Sequence, residues 1–328
     1  MTHYHRTESG LLVPFSPHIV RRNYLEAEAG HRNELAGEYR MVVRRADGSI
    51  KRDTGFFPNL ILDSGLNRIG SGTAMSGCAI GTSAVAPSAT QTALISRSAW
   101  TTTSQSNVSS AAASAPYYFQ NDRTWRFALG ALNGNFSEVG VGWSDTQMFS
   151  RALIVDAGGN PTPITVLSDE QLDVTYRLRM YVPTTDWGGT FTIGGTSTTV
   201  TGRSIAVTTN WWASWGPPHN NVPIATGITS DSGRAYAGPL GAITAGNPGG
   251  TYAGASSSCT SSAYVNNSLS RTGSVTFGLN DGNSATFKVL TVTLGVFGQI
   301  QYDFDPAIPK NNTRTLVFNL SSSWARRP

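Results

Sequence analysis

The chain has 328 residues, enough to bury a sizeable core as one large domain or two medium ones. Only 13% of residues are charged, about half the usual share of roughly 25%, with Gly, Ser, Thr, Ala and Asn filling the difference. The net charge of +4 is small and mixed, which argues against direct nucleic-acid binding, and no segment approaches the ~20 apolar residues of a membrane span.

The start, MTHYHRTESG, lacks an apolar run, so no secretory signal is expected and synthesis in a cytoplasm follows. His3 and His5 alternate on an extended segment. Symmetry copies could therefore offer their imidazoles to one metal ion, although an untethered terminus is the plainer reading. Pro14 and Pro17 hold LVPFSPHIV extended. Asn23 with Glu26 three residues on has the form of a helix N-cap, and EAEAGHRNELA up to a stop at Gly37 predicts a short amphipathic helix. Such an arm and helix either pack over the protein's own sheet or dock on a neighbouring subunit. The docking candidates are Pro14, Phe15, Tyr24, Leu25 and Leu35.

From Gly37 onward the pattern is that of β-structure. A hairpin turns at Ala46-Asp47-Gly48-Ser49, and a strand through Leu60 and Ile61 leads into a helical turn capped by Asp63 or Ser64. Residues 70–116 are rich in Ser, Thr, Ala and Gly. Trp125, Phe127 and Leu129 alternate, as do Val139, Val141 and Trp143, and Gly158, Gly159 and Pro161 mark a turn. The clearest strand is VLSDEQLDVTYRLRMY, 166–181. Leu172, Val174, Tyr176, Leu178 and Met180 share one face, and Asp173, Thr175, Arg177 and Arg179 the other, as expected of an antiparallel sheet buried on one side.

Residues 184–285 hold six charged side chains and many Gly, Ser and Thr, and read as a β-rich insert with long loops. Alternation returns at Leu290, Val292, Leu294 and Val296, and again at Leu316, Phe318 and Leu320. The expected fold is all-β: an arm and helix over 1–36, an antiparallel β-sandwich body from 37–183 plus 286–328, and a β insert over 184–285.

Recognised catalytic patterns such as GxSxG, HExxH, a P-loop and CxxC are absent from the sequence. Beyond residue 31 only His219 remains for a Ser-His-Asp site. Glu138 or Glu170 with Asp145 or Asp173 could form a glycosidase couple, or could be ordinary salt-bridged sheet carboxylates. Trp211, Trp212 and Trp215 either fill a core or offer indole faces to a sugar or an apolar partner. Cys78 and Cys259 read as buried free thiols rather than a disulfide. No cofactor is expected.

Several runs together carry a family resemblance. They are Asn59-Leu60-Ile61 with Gly65-Leu66, Gly81-Thr82 with Ala86-Pro87 and Thr92-Ala93-Leu94, then Glu138-Val139-Gly140 and Phe149 to Ile154, leading into TPITV and the long alternating strand. Over 55–183, with a weaker echo at the C-terminus, this resembles virion proteins of tailed bacteriophages. The resemblance implies a structural component of a tail fibre, baseplate or collar, with no catalytic residues to carry over. It also implies a place in the virion, other virion proteins as partners, and symmetric oligomers, often trimers. The alternative is a host-receptor module that grips surface glycan or protein with Trp211, Trp212 and Trp215. A polysaccharide-cutting depolymerase is a third reading, without a carboxylate pair that stands out.

Overall fold

The computed structural model describes residues 4–6, 12–14, 25–72, 75–193, 195–215, 233–256, 258–283 and 286–328. Strand accounts for 55% of the chain and helix for 5%. In chain order, β1 (Tyr4–Arg6) and β2 (Leu12–Pro14) pair with each other as a ribbon. The 21-residue β3 (Leu25–Arg45) follows, and the predicted turn with Gly48 at φ 85° returns the chain antiparallel as β4 (Ile50–Asp53). Short strands β5 (Phe57–Pro58) and β6 (Leu60–Ile61) lead into helix α1 (Asp63–Ser71). Leu62, with no side-chain bond, is the N-cap of α1. Asp63, read as a cap, sits inside the first turn, where its charge suits the helix dipole.

Next come β7 (Gly77–Gly81), β8 (Arg97–Thr101), β9 (Ser104–Ala111), β10 (Tyr118–Phe127) and β11 (Gly134–Phe136). They are followed by β12 (Glu138–Ser144), β13 (Gln147–Leu153), β14 (Ile164–Val166) and β15 (Glu170–Tyr181). The C-terminal half supplies β16 (Trp187–Ile193), β17 (Thr196–Ile205), helix α2 (Trp211–Trp215), β18 (Gly233–Tyr236), β19 (Tyr252–Ala255) and β20 (Ser258–Ser261). It ends with β21 (Ser270–Phe277), β22 (Phe287–Thr293), β23 (Gln299–Ile308) and β24 (Leu316–Arg326).

The largest sheet has nine strands in the order β20-β21-β24-β3-β15-β10-β9, with β4 and β5 also on β3. It is mixed, because β24 runs parallel to the first half of β3, and it curls into a half-barrel. A six-stranded sheet, β16-β17-β23-β22-β18-β19, and a five-stranded sheet, β6-β13-β12-β7-β8, complete the main layers. The expected antiparallel sandwich is therefore corrected to a β-rich body with a curled mixed sheet.

The alternation read in β15 holds: Leu172, Val174, Tyr176, Leu178 and Met180 are all 0% exposed. Each contributes about 1.5–3 kcal/mol by leaving water. Their neighbours in one continuous core include Tyr39 and Val43 of β3, Trp125 of β10, Val139 of β12 and Phe318 of β24.

The helix predicted up to Gly37 does not form over its described residues. Residues 25–36 are the first half of β3, and His31, Asn33, Leu35, Gly37, Tyr39 and Met41 point inward with a period of two. Two partner strands decide this: β24 pairs along His31↔Ser322 to Leu35↔Arg326, and β15 takes over from Glu34↔Tyr181. The ladder to β24, continued by the ladder to β15, outweighs the modest helix propensity of Glu, Ala and Leu. Gly37 is no helix stop. A Cβ there would lie 2.3 Å from the Tyr176 hydroxyl, so the glycine makes room for that ring.

The expected boundaries also fall inside sheets. β3 runs through 36/37, while β17 pairs with β23, β18 with β22 and β21 with β24. Among the described residues the stretch 184–285 therefore has no sheet of its own. The strand expected through Val296 stops at Thr293. Leu294 and Val296 lie in or beside a 3-10 turn at Gly295–Phe297, and both are buried.

Candidate functional site

The loop 82–96 joins β7 to β8 and lies over the outer face of β7, β12 and β13. Sequence places an apolar anchor and a polar one beneath it. Leu94 packs in a small second core with Leu62, Ala79 and Met148. The polar anchor is Glu138 of β12 with Arg151 of β13, both side chains 0% exposed and 2.8 Å apart. In the β12–β13 register Arg151 sits opposite Gly140, diagonal to Glu138 and on the same face.

The pair binds the loop at both ends. Glu138 Oε1 accepts from the Ser96 backbone N–H at 2.7 Å, and Oε2 accepts from the Ile95 N–H at 3.1 Å and Arg151 Nε at 2.8 Å. Arg151 donates to the Val85 carbonyl at 2.7 Å, to Gln91 Oε1 at 2.8 Å and to the Ala86 carbonyl at 3.3 Å. Gly81 permits the approach, since a Cβ there would lie 2.6 Å from Glu138 Oε1 and 2.4 Å from the Ser96 carbonyl. Two buried charges are costly unless paired and fully hydrogen-bonded, and here both conditions are met. Outside, the loop displays Val85 and Ile95, at 57% and 48% exposure.

Several of the short runs singled out in the sequence converge on this construction. Leu60 and Ile61 pair with Arg151 and Ser150, Ala86 accepts from Arg151, Leu94 anchors the loop, and Glu138 holds Arg151. No family model, curated protein or solved structure matches this chain.

The solvent side of the large sheet carries the second charged feature, the face read from Asp173, Thr175, Arg177 and Arg179. Arg177 pairs with Asp122 at 2.7 Å and lies 3.6 Å from the centre of the Phe56 ring. Arg179 reaches Glu38 at 3.2 Å and lies over Tyr118, while Arg327 lies over Tyr181. These arginines are thus paired with acids of the same chain, and Arg177, Arg179 and Arg327 also lie over aromatic rings.

The four carboxylates considered for catalysis are all paired. Asp173 is held by Arg126 at 2.6 Å and Arg44 at 3.0 Å, Glu170 by Lys51 at 2.8 Å, and Asp145 by Arg97 at 2.9 Å. The Lys51 ammonium holds Glu170 below the usual carboxylate range. A general acid needs the opposite shift, toward the protonated form.

The aromatic and docking candidates divide. Trp212 is 1% exposed and donates from Nε1 to the Val296 carbonyl at 2.8 Å, with its ring 6.2 Å from Phe119. It is core, because a large ring with a polar edge finds both an apolar bed and an acceptor there. Trp211 is half-buried against the same core, and the side chain of Trp215 lies outside the described residues. Leu35 is 1% exposed, so its side chain packs inside this chain and is not free to dock. Pro14 ends β2 and Leu25 begins β3. Phe15, Tyr24, His3 and His219 lie outside the described residues, as does the side chain of His5; the His5 backbone in β1 pairs with Val13 of β2.

Among the described residues no group of three His, Cys, Asp or Glu side chains is placed to hold a metal, and no helix is long and apolar enough to cross a membrane. Neither cysteine is in a disulfide; Cys78 is buried and Cys259 half-buried. Burial pushes the Cys78 thiol well up. Sequence reasoning missed Arg151. Its signal was an arginine inside the apolar run FSRALI, opposite a strand that opens with a glutamate.

Proposed function

We propose that this chain is a structural component of a tailed-bacteriophage virion, of the tail-fibre, baseplate or collar kind, working by assembly with copies of itself and with neighbouring virion proteins. The supporting observation is the use made of the fully buried Glu138–Arg151 pair. It fixes a surface loop that shows Val85 and Ile95 to the outside, and it lies under that loop with every bonding group engaged. A loop held in one shape pays little ordering entropy when a neighbour covers it. The paired carboxylates and the Arg–aromatic sheet face fit the same reading.

The test is a Val85→Asp, Ile95→Asp double variant. Both side chains are exposed, so its melting temperature stays near wild type while its incorporation into particles falls. Wild-type incorporation would overturn the loop as a contact. The alternative, a host-receptor module using the aromatic cluster, now rests on Trp211 and Trp215, since Trp212 is enclosed. It predicts that Trp211→Ala lowers adsorption to cells while particles stay intact.

A further inference from the structure

The sequence holds three lysines, Lys51, Lys288 and Lys310. The first two meet carboxylates, Lys51 on Glu170 and Lys288 on Asp303. Lys310 differs. It is 7% exposed, and among the described residues no carboxylate lies within 4.0 Å of its Nζ. Its partners are neutral oxygens: Nζ donates to Asn283 Oδ1 at 2.9 Å and to the Asn311 carbonyl at 3.0 Å. The Asn283 carboxamide is also oriented, because its Nδ2 donates to the Leu279 carbonyl. That bond leaves Oδ1 to accept from the amine.

A buried primary amine is thus hydrogen-bonded to the carboxamide of an exposed asparagine, and the two groups can exchange into an amide. Burial lowers the pKa of Lys310, which raises the share of unprotonated, nucleophilic amine, and the charge of Asp281 acts against this. Asp281 stands two residues before Asn283, held by the Gly278 N–H at 2.7 Å.

We propose that Lys310 and Asn283 join in an intramolecular amide. Unprotonated Nζ attacks Asn283 Cγ and forms the Nζ–Cγ bond. The Cγ–Nδ2 bond breaks, its electron pair leaves with nitrogen, and that nitrogen takes up the proton lost by Nζ. The products are a secondary amide and one ammonia, with no oxidant or reductant. Asn283 lies between β21 and β22, and Lys310 between β23 and β24. β21 and β24 belong to the nine-stranded sheet and β22 and β23 to the six-stranded one, so the bond would staple the two layers covalently. The inference is independent of the proposed function.

Intact mass of the purified full chain tests it. The expected mass is lower than the sequence mass by one ammonia. A protease digest of the same protein then contains one branched peptide joining the segments around 283 and 310. Lys310→Arg and Asn283→Ala, checked for folding by circular dichroism, should each return to full mass. A wild-type chain at full sequence mass would overturn the proposal, as would an ammonia loss that persists in Lys310→Arg. The wild-type digest decides even if a variant fails to fold.

Discussion

Glu138 and Arg151 are worth most as a pair. In Glu138→Gln the Arg151 guanidinium keeps its place at 0% exposure without a counter-charge, so about 3–5 kcal/mol of unfolding free energy is lost. Arg151→Met loses a similar amount. The double variant loses less than the sum, because no charge is left stranded. Urea unfolding of the four proteins measures this, and simple additivity would contradict it. His31 gives a pH prediction. Its ring is 4% exposed, 5.9 Å from Trp187 and 6.3 Å from Phe297, with Nε2 3.2 Å from Ser322 Oγ. Burial holds its pKa at about 4, below the ordinary 6.5. The unfolded chain takes up a proton as pH falls through 6.5, and the folded chain only near 4. Stability is therefore full above 6.5 and falls by about 3 kcal/mol down to 4. In His31→Asn this dependence should vanish; an unchanged slope in denaturant unfolding across that range would contradict it.

At the scale of elements, β15 is legible in the sequence because one face meets water and the other the core, so its composition alternates. β22 is legible only in part: Leu290 and Val292 mark it as a strand, but Val289 and Thr291 are also 0% exposed, so both of its faces are covered and its end at Thr293 does not show in the pattern. β3 hides for another reason. Glu, Ala and Leu favour a helix locally, while its ladder partners lie more than a hundred residues away in β15 and β24. The candidate site was legible in part: Glu138 was named as a possible catalytic or salt-bridged carboxylate, but its partner Arg151 and the loop they hold became visible only through the β12–β13 register. The boundary of β3 yields a prediction. Deleting 1–23 leaves β3 whole and should keep the melting temperature near wild type. Deleting 1–36 removes His31, Asn33 and Leu35 from the core and should prevent folding. Equal behaviour of the two truncations in thermal unfolding would contradict this.

For the whole molecule, charge is distributed with a purpose that composition alone only hints at. Much of it is spent inside pairs, as Glu138–Arg151 and across the outer face of β3, β10 and β15. Other surfaces are left to short neutral side chains, exemplified by β9 and by the groove of about 620 Å³ lined by Thr260, Ser262 and Thr272. Neutral polar surface is cheap to cover, which suits a part that meets neighbours on several sides. For the proposed virion role, the most direct measurement is the copy number of this chain in purified phage particles, by quantitative mass spectrometry. The account predicts a fixed number of copies per particle, lost when residues 1–23 are deleted. Particles that contain none of it would contradict the account.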